Sequence, residues 1–184
     1  MTYRPRNRIW VPAALPASAV RLEDMRAHLR VDSDAEDGLI DDISKAATEV
    51  AEKWTQRLLV RREAVLNLPG LPRGLEPVEL PGGQVASVTS FVAQGAPVTG
   101  AVVYGNSPAL LVPSVDWPAV TADGFPVVIT YSVGFATVPE DMKAAIKLIA
   151  TDLYDRRGQS TGQPVNLAAI NAEWLMMPHR IRPI

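Results

Sequence analysis

The chain contains no cysteine, which removes disulfides, thiolate metal sites and a cysteine nucleophile together. Histidine is nearly absent too: His28 and His179 are the whole supply, too little for imidazole metal centres or catalytic triads. No run approaches the ~18 apolar residues that a membrane span needs. The basic start, MTYRPRNRIWVPAALP, has its apolar run broken by Pro12 and Pro16, so no secretory signal is expected there. Missing as well are a Gly-rich phosphate loop, a nucleophile elbow and a zinc-binding helix motif.

What is present is an ordinary globular composition, 47% hydrophobic and 21% charged over 184 residues. That length fits one domain, or one domain with a small inserted lobe. The net charge of −2 conceals segregation. Residues 1–30 set six arginines against Glu23 and Asp24, residues 32–52 set eight acids against Lys45, and residues 53–62 are basic again. Such blocks can orient partners and subunits.

Residues 1–20 mix Arg, Pro and Ala without a period and read as an extended N-terminal arm, with Tyr3, Ile9 and Trp10 as apolar anchors and residues 1–8 expected to be disordered. A short helix over 22–29 follows, with Glu23 and Asp24 in its first turn. Asp34 is the expected N-cap of a longer helix over 35–55, with Asp37 three residues on completing a box-like cap. In that helix Leu39, Ile40, Ile43, Ala46, Ala47, Val50, Ala51 and Trp54 read as the buried stripe, and Asp41, Asp42, Lys45, Glu49, Glu52 and Lys53 as the opposite face. The cluster Asp32, Asp34, Glu36, Asp37 is not a calcium loop. Counted from Asp32, the positions that need Gly and Glu hold Asp37 and Ile43.

From Glu63 the period changes to that of strands. Segments 63–68, 78–80, 85–92, 101–104, 109–112 and 126–132 alternate or run apolar between turn signals, and PVVITYS at 126–132 reads as the central strand. Gly82-Gly83 reads as a hairpin turn, since it lacks the strand-to-helix setting of a phosphate cradle. Pro139 opens a third helix over 139–157, with Met142, Ala145, Ile146, Ile149 and Leu153 on its inner face. A polar linker, a short helix over 167–176 and the tail PHRIRPI close the chain. The expected fold class is α+β: a small helical bundle of about four helices with an inserted antiparallel β lobe. In domain terms this is an arm at 1–20, one domain at 21–158 with its β lobe at 63–132, and a linker, helix and tail at 159–184.

No set of residues supports catalysis, and no metal or cofactor is expected. His28 has no nucleophile or carboxylate that spacing can bring to it and reads as a partly buried structural histidine. The more telling group is Trp174, Met176 and Met177 beside Arg180 and Arg182, since aromatic, Met and Arg residues together are typical of interface anchors. Docking of the last helix on its own core is the other reading of the same residues.

The order of helix, Val31-Asp32 turn, acidic helix, β lobe, Val138-Pro139 helix and short last helix resembles the gp6-like head–tail connector (adaptor) proteins of tailed bacteriophages, prophages and gene transfer agents. The residues that carry the resemblance are Leu22-Glu23-Asp24, Ala27 to Asp32, the acids Asp34 to Asp37, Leu39-Ile40, Ala46-Ala47 and Thr55. Leu80-Pro81, Val85, Ser87-Val88, Trp117-Pro118, Val127 to Tyr131, Gly134-Phe135, Val138-Pro139, Ala144 to Ile146, Tyr154 and Arg157 continue it. The chain departs from the pattern at Gln56, where Gly is frequent, at Trp54, where Tyr is usual, and at Arg21, where Ser or Thr caps the first helix.

The resemblance implies a structural virion protein at the head–tail interface, assembled in the bacterial cytoplasm. It would form a ring of copies, about twelve to match a portal. The ring would dock on the portal protein, continue the DNA channel without sequence-specific binding, and present a surface to a stopper or tail-terminator protein, with no membrane involved. On that expectation Asp41, Asp42 and Glu49 face a neighbouring subunit or the channel, and Trp174, Met176, Met177, Arg180 and Arg182 meet the portal. The alternative from another class is a small helical DNA-binding regulator, which the acidic second helix opposes because duplex binding needs a basic surface. A hydrolase with an unrecognised site ranks third.

Overall fold

The structure is a computed structural model that describes residues 3–5, 7–105, 108–121, 123–156 and 168–181. Among the described residues it is α+β, with four helices and antiparallel sheets. Two compact units form, one from residues 1–14 and 61–135, the other from residues 15–60 and 136–184.

Among the described residues the first unit holds eight strands: β1 (Ile9–Pro12), β2 (Arg62–Leu68), β3 (Val78–Leu80), β4 (Val85–Ala93), β5 (Ala96–Pro97), β6 (Ala101–Tyr104), β7 (Ala109–Pro113) and β8 (Val127–Val133). They form a five-stranded sheet in the order β1-β2-β8-β4-β5 and a three-stranded sheet in the order β3-β7-β6. The strand expected to be central, β8, is central, paired antiparallel with β2 on one side and β4 on the other. Alternation explains its place: Val127, Ile129, Tyr131 and Val133 are buried, while the residues between them are half-covered. Both edge strands of the larger sheet carry proline, Pro12 and Pro97, where a missing N–H is tolerated.

Two expectations change in this unit. Gly82 and Gly83 adopt φ of +94° and +97°, but they do not close a hairpin, because β3 and β4 belong to different sheets and the turn passes the chain from one to the other. A turn signal fixes a change of direction without fixing the strand partner. Tyr3 and Arg8, expected within a disordered end, are held by partners. Tyr3 exchanges backbone hydrogen bonds with Pro77 and Glu79 at 2.8 and 3.3 Å, and Arg8 pairs with Glu79 at 3.4 Å. Trp10 and its neighbours form β1 against β2. A four-residue edge strand ending in proline leaves too short a period to read.

The second unit comprises α1 (Leu22–Leu29), α2 (Asp37–Thr55), α3 (Glu140–Asp155) and α4 (Ala168–Met176), with a single 3₁₀ turn at Met177–His179. Among these, α2 packs against α1 and α3, and α3 against α4. Met25, Ile40, Ala47, Ala51, Met142, Ala145, Ile146 and Ala150 are buried, each large side chain contributing about 1.5–3 kcal/mol. Ile149 is half-covered and Leu153 exposed, so the inner face of α3 is narrower than expected. Asp34 is not the cap of α2. The N-cap is Glu36, without a side-chain cap bond, and Asp34 instead accepts the Asp37 N–H through its carbonyl at 3.1 Å in the preceding turn. Asp37 pairs with Arg26 of α1 at 3.4 Å rather than closing a capping box.

Candidate functional site

The buried residues of α2 are Ile40, Ser44, Ala47, Thr48, Ala51, Glu52 and Thr55. Short hydroxyl side chains are buried there without penalty because they bond locally. Thr48 donates to the Ser44 carbonyl at 2.8 Å and Thr55 to the Ala51 carbonyl at 2.7 Å. Ser18 reaches the same face, its hydroxyl 2.5 Å from that of Ser44, and Val20 is buried beside it. This corrects the stripe read from the sequence. Leu39 and Val50 are 41% and 46% exposed, Ala46 is exposed, and Ile43 and Trp54 are half-covered. Two apolar faces lie side by side on one helix, and only the one interleaved with Ser and Thr is internal. A periodicity that counts Ser and Thr as outward merges the two.

Along one edge of the outward apolar face stand Asp42 and Glu49, both exposed, whereas Asp41 lies on the other side of the helix and is half-covered. Asp41 pairs with Lys45 at 2.6 Å and Glu49 with Lys53 at 3.7 Å, both one turn apart on the helix. Glu52, expected on this face, is buried. Its Oε1 accepts the Leu59 N–H at 2.7 Å and the Val60 N–H at 3.5 Å, fixing the chain as it leaves α2.

The C-terminal segment forms a second surface in the same unit. Trp174 is 68% exposed and Met177 is exposed, whereas Met176 is buried; Arg182 lies outside the described residues. The segment is tied down at four points. His179 Nε2 lies 2.6 Å from Asp141 Oδ2 at the start of α3. Arg57 donates to the His179 carbonyl, the Ile181 N–H donates to the Thr55 carbonyl at 2.9 Å, and the Arg180 guanidinium lies over Trp54, 5.0 Å from the ring centroid. Partial burial would raise the Asp141 carboxyl, but hydrogen bonds from His179 and from the Met142 N–H outweigh it and hold the group below its ordinary value. The tail is therefore fastened to the end of α2 and the beginning of α3, a link between segments ~120 residues apart that spacing cannot show.

Among the described residues no catalytic geometry gathers in either unit. His28 is exposed on α1 rather than partly buried. One hollow in the first unit, about 220 Å³, is lined by Val88 to Phe91, Val98 to Ala101 and Leu111. Its lining carries hydroxyls but no titratable side chain to act as general acid or base. Among the described residues no helix is long and apolar enough to cross a membrane.

Three solved structures share this fold over nearly its whole length. A chain from "Neck of empty GTA particle computed with C6 symmetry" aligns with 96% of this chain and 97% of its own, at 22% identity and a TM-score of 0.80. A chain from "Virion of native gene transfer agent (GTA) particle" aligns with the same shares at 25% identity and a TM-score of 0.75. One from "Neck of native GTA particle computed with C12 symmetry" covers 95% of each chain at 22% identity and a TM-score of 0.74. No curated protein matches the sequence. The family model for phage gp6-like head-tail connector proteins matches residues 19–89, the stretch that runs through α1, α2, β2 and β3 into β4. Over those residues the chain is similar to the phage gp6-like head-tail connector proteins.

Proposed function

We propose that the chain is a structural connector subunit that assembles with copies of itself into a ring at the head–tail interface of a virion or gene transfer agent. On this reading the ring docks on a portal protein, continues its DNA channel and offers its far rim to a stopper or tail-terminator protein, without catalysis. It is put together in the bacterial cytoplasm. The observation that carries the reading is the family match over the two helices whose outward surface is acidic and apolar at once. A surface of that kind suits subunit packing better than DNA, which repels exposed acids such as Asp42 and Glu49. The exposed anchors Trp174 and Met177, held in place by the fastened tail, are the proposed portal contacts together with Arg180.

Charge reversal tests it. Asp42→Lys with Glu49→Lys lies on exposed positions and leaves the fold intact, so the circular dichroism of the purified chain stays unchanged. The yield of tailed particles falls at least tenfold. Full yield of tailed particles from that variant would contradict the reading.

A further inference from the structure

From Leu80 to Val115 the chain contains no Asp, Glu, Lys, Arg or His, and this stretch builds β4, β5, β6 and β7. In the sheet ordered β3-β7-β6, the strand β6 is last, so one of its long sides faces no strand of that sheet. Register decides which groups that side presents. The Ser114 N–H donates to the Gly100 carbonyl at 2.6 Å, and the pairs Val102 with Val112 and Tyr104 with Leu110 follow at steps of two. Gly100, Val102 and Tyr104 therefore direct their backbone groups to β7, and Ala101 and Val103 direct theirs outward. Among the described residues no backbone bond meets those outward groups. The opposite edge, β3, differs: Tyr3 bonds to Pro77 and Glu79 along it.

Lysine or an inward-pointing charge ordinarily guards a free strand edge. Here the surroundings are apolar instead. Val102 and Tyr104 are 49% and 59% exposed on one face of β6, across from half-covered Val112 and Leu110 of β7. At the other face lies the hollow of about 220 Å³, which Ala101 of β6 and Leu111 of β7 line together with Val88 to Phe91 of β4. A cavity of ~150 Å³ already accommodates benzene, so the hollow has room for one large apolar side chain.

We infer that the outer edge of β6 takes up an extended, uncharged segment of a partner protein as an added strand, with one of its apolar side chains entering the hollow. Each part of the site selects that occupant. Outward N–H and C=O groups two residues apart are matched by an extended backbone, whereas a helix has its own groups bonded internally. A charged segment would be desolvated with nothing nearby to pair with it. A strand from a second copy arrives with its inner side chains already packed in its own sheet and leaves the hollow unfilled. A free segment brings them bare. Binding of this kind needs only the β unit and is separate from ring closure.

Solution NMR of the isotope-labelled full chain tests it. The probe is an alternating leucine–threonine hexapeptide, with a lysine beyond each end for solubility. At millimolar peptide the amide signals of Ala101 and Val103 shift, and the same peptide methylated at every backbone nitrogen leaves them in place. Equal shifts from both peptides mean contact through side chains alone and overturn the inference, as does no shift from either. Val103→Pro removes one outward N–H and keeps the bonds of Val102 and Tyr104 to β7. This variant retains the circular dichroism of the parent and binds the first peptide at least tenfold more weakly; unchanged binding overturns the inference. A dimer of the chain alone that Val103→Pro dissolves would place a copy on this edge and overturn it as well.

Discussion

The guanidinium of Arg180 lies over the indole of Trp54, 5.0 Å from the ring centroid, and so joins the last described turn of the chain to the end of α2. The neighbouring bond from the Ile181 N–H to the Thr55 carbonyl holds the same junction from the backbone. Exposed cation–π pairs are worth about 0.5–1 kcal/mol. Arg180→Ala is expected to lower the stability of the isolated chain by that amount in urea unfolding, with Arg180→Lys in between. If Arg180 also meets the portal, as proposed, Arg180→Ala weakens pull-down of the portal by far more than the fold is weakened, about tenfold or more for a central interface arginine.

Glu52 supports the exit from α2. Its buried carboxylate accepts backbone N–H groups from Leu59 and Val60, and removing it leaves those donors without that acceptor. Hydrogen bonds to charged groups are worth about 1.5–3 kcal/mol. Glu52→Ala should cost about 2–3 kcal/mol in chemical denaturation, and Glu52→Gln less, because an amide oxygen still accepts. Equal stability of the alanine variant and the parent would refute the capping role.

Tyr131 anchors the β unit. Its ring is fully buried in β8, and its hydroxyl donates to the Pro81 carbonyl at 2.9 Å, beside the turn that passes the chain between sheets. Burial pushes the phenol above its ordinary value of 10.0. A pKa raised in the fold means that the stability is fully present below pH 10.0 and is lost as pH rises above that value. The parent protein should therefore lose stability steeply from about that pH, and Tyr131→Phe should flatten the decline. At neutral pH the variant is weaker by about 1 kcal/mol through the lost hydrogen bond. Unfolding curves between pH 7 and pH 11 check both statements.

The elements were largely legible because each has a strong local cause. The first helix is bounded as read, 22–29, and the best strand pattern became the centre of its sheet. What was hidden depends on partners remote in sequence or on short polar groups that bond to their own helix. The division of α2 into two apolar faces turned on Thr48 and Thr55, whose hydroxyls are satisfied within the helix, and on Ser44, whose hydroxyl meets that of Ser18, so that all three can face inward. Glu52 was read as surface because its acceptor role depends on Leu59 and Val60 beyond the helix end. The fastening of His179 to Asp141 joins residues 38 apart, which no period records.

The most direct test of the proposed connector role is the mass in solution of the full chain, alone and mixed with the proposed portal partner, by light scattering or native mass spectrometry. The account predicts a discrete complex in which several copies of the chain are bound per portal ring, with copy number fixed and insensitive to further addition of chain. A chain that stays monomeric and unbound at every ratio to portal would contradict it.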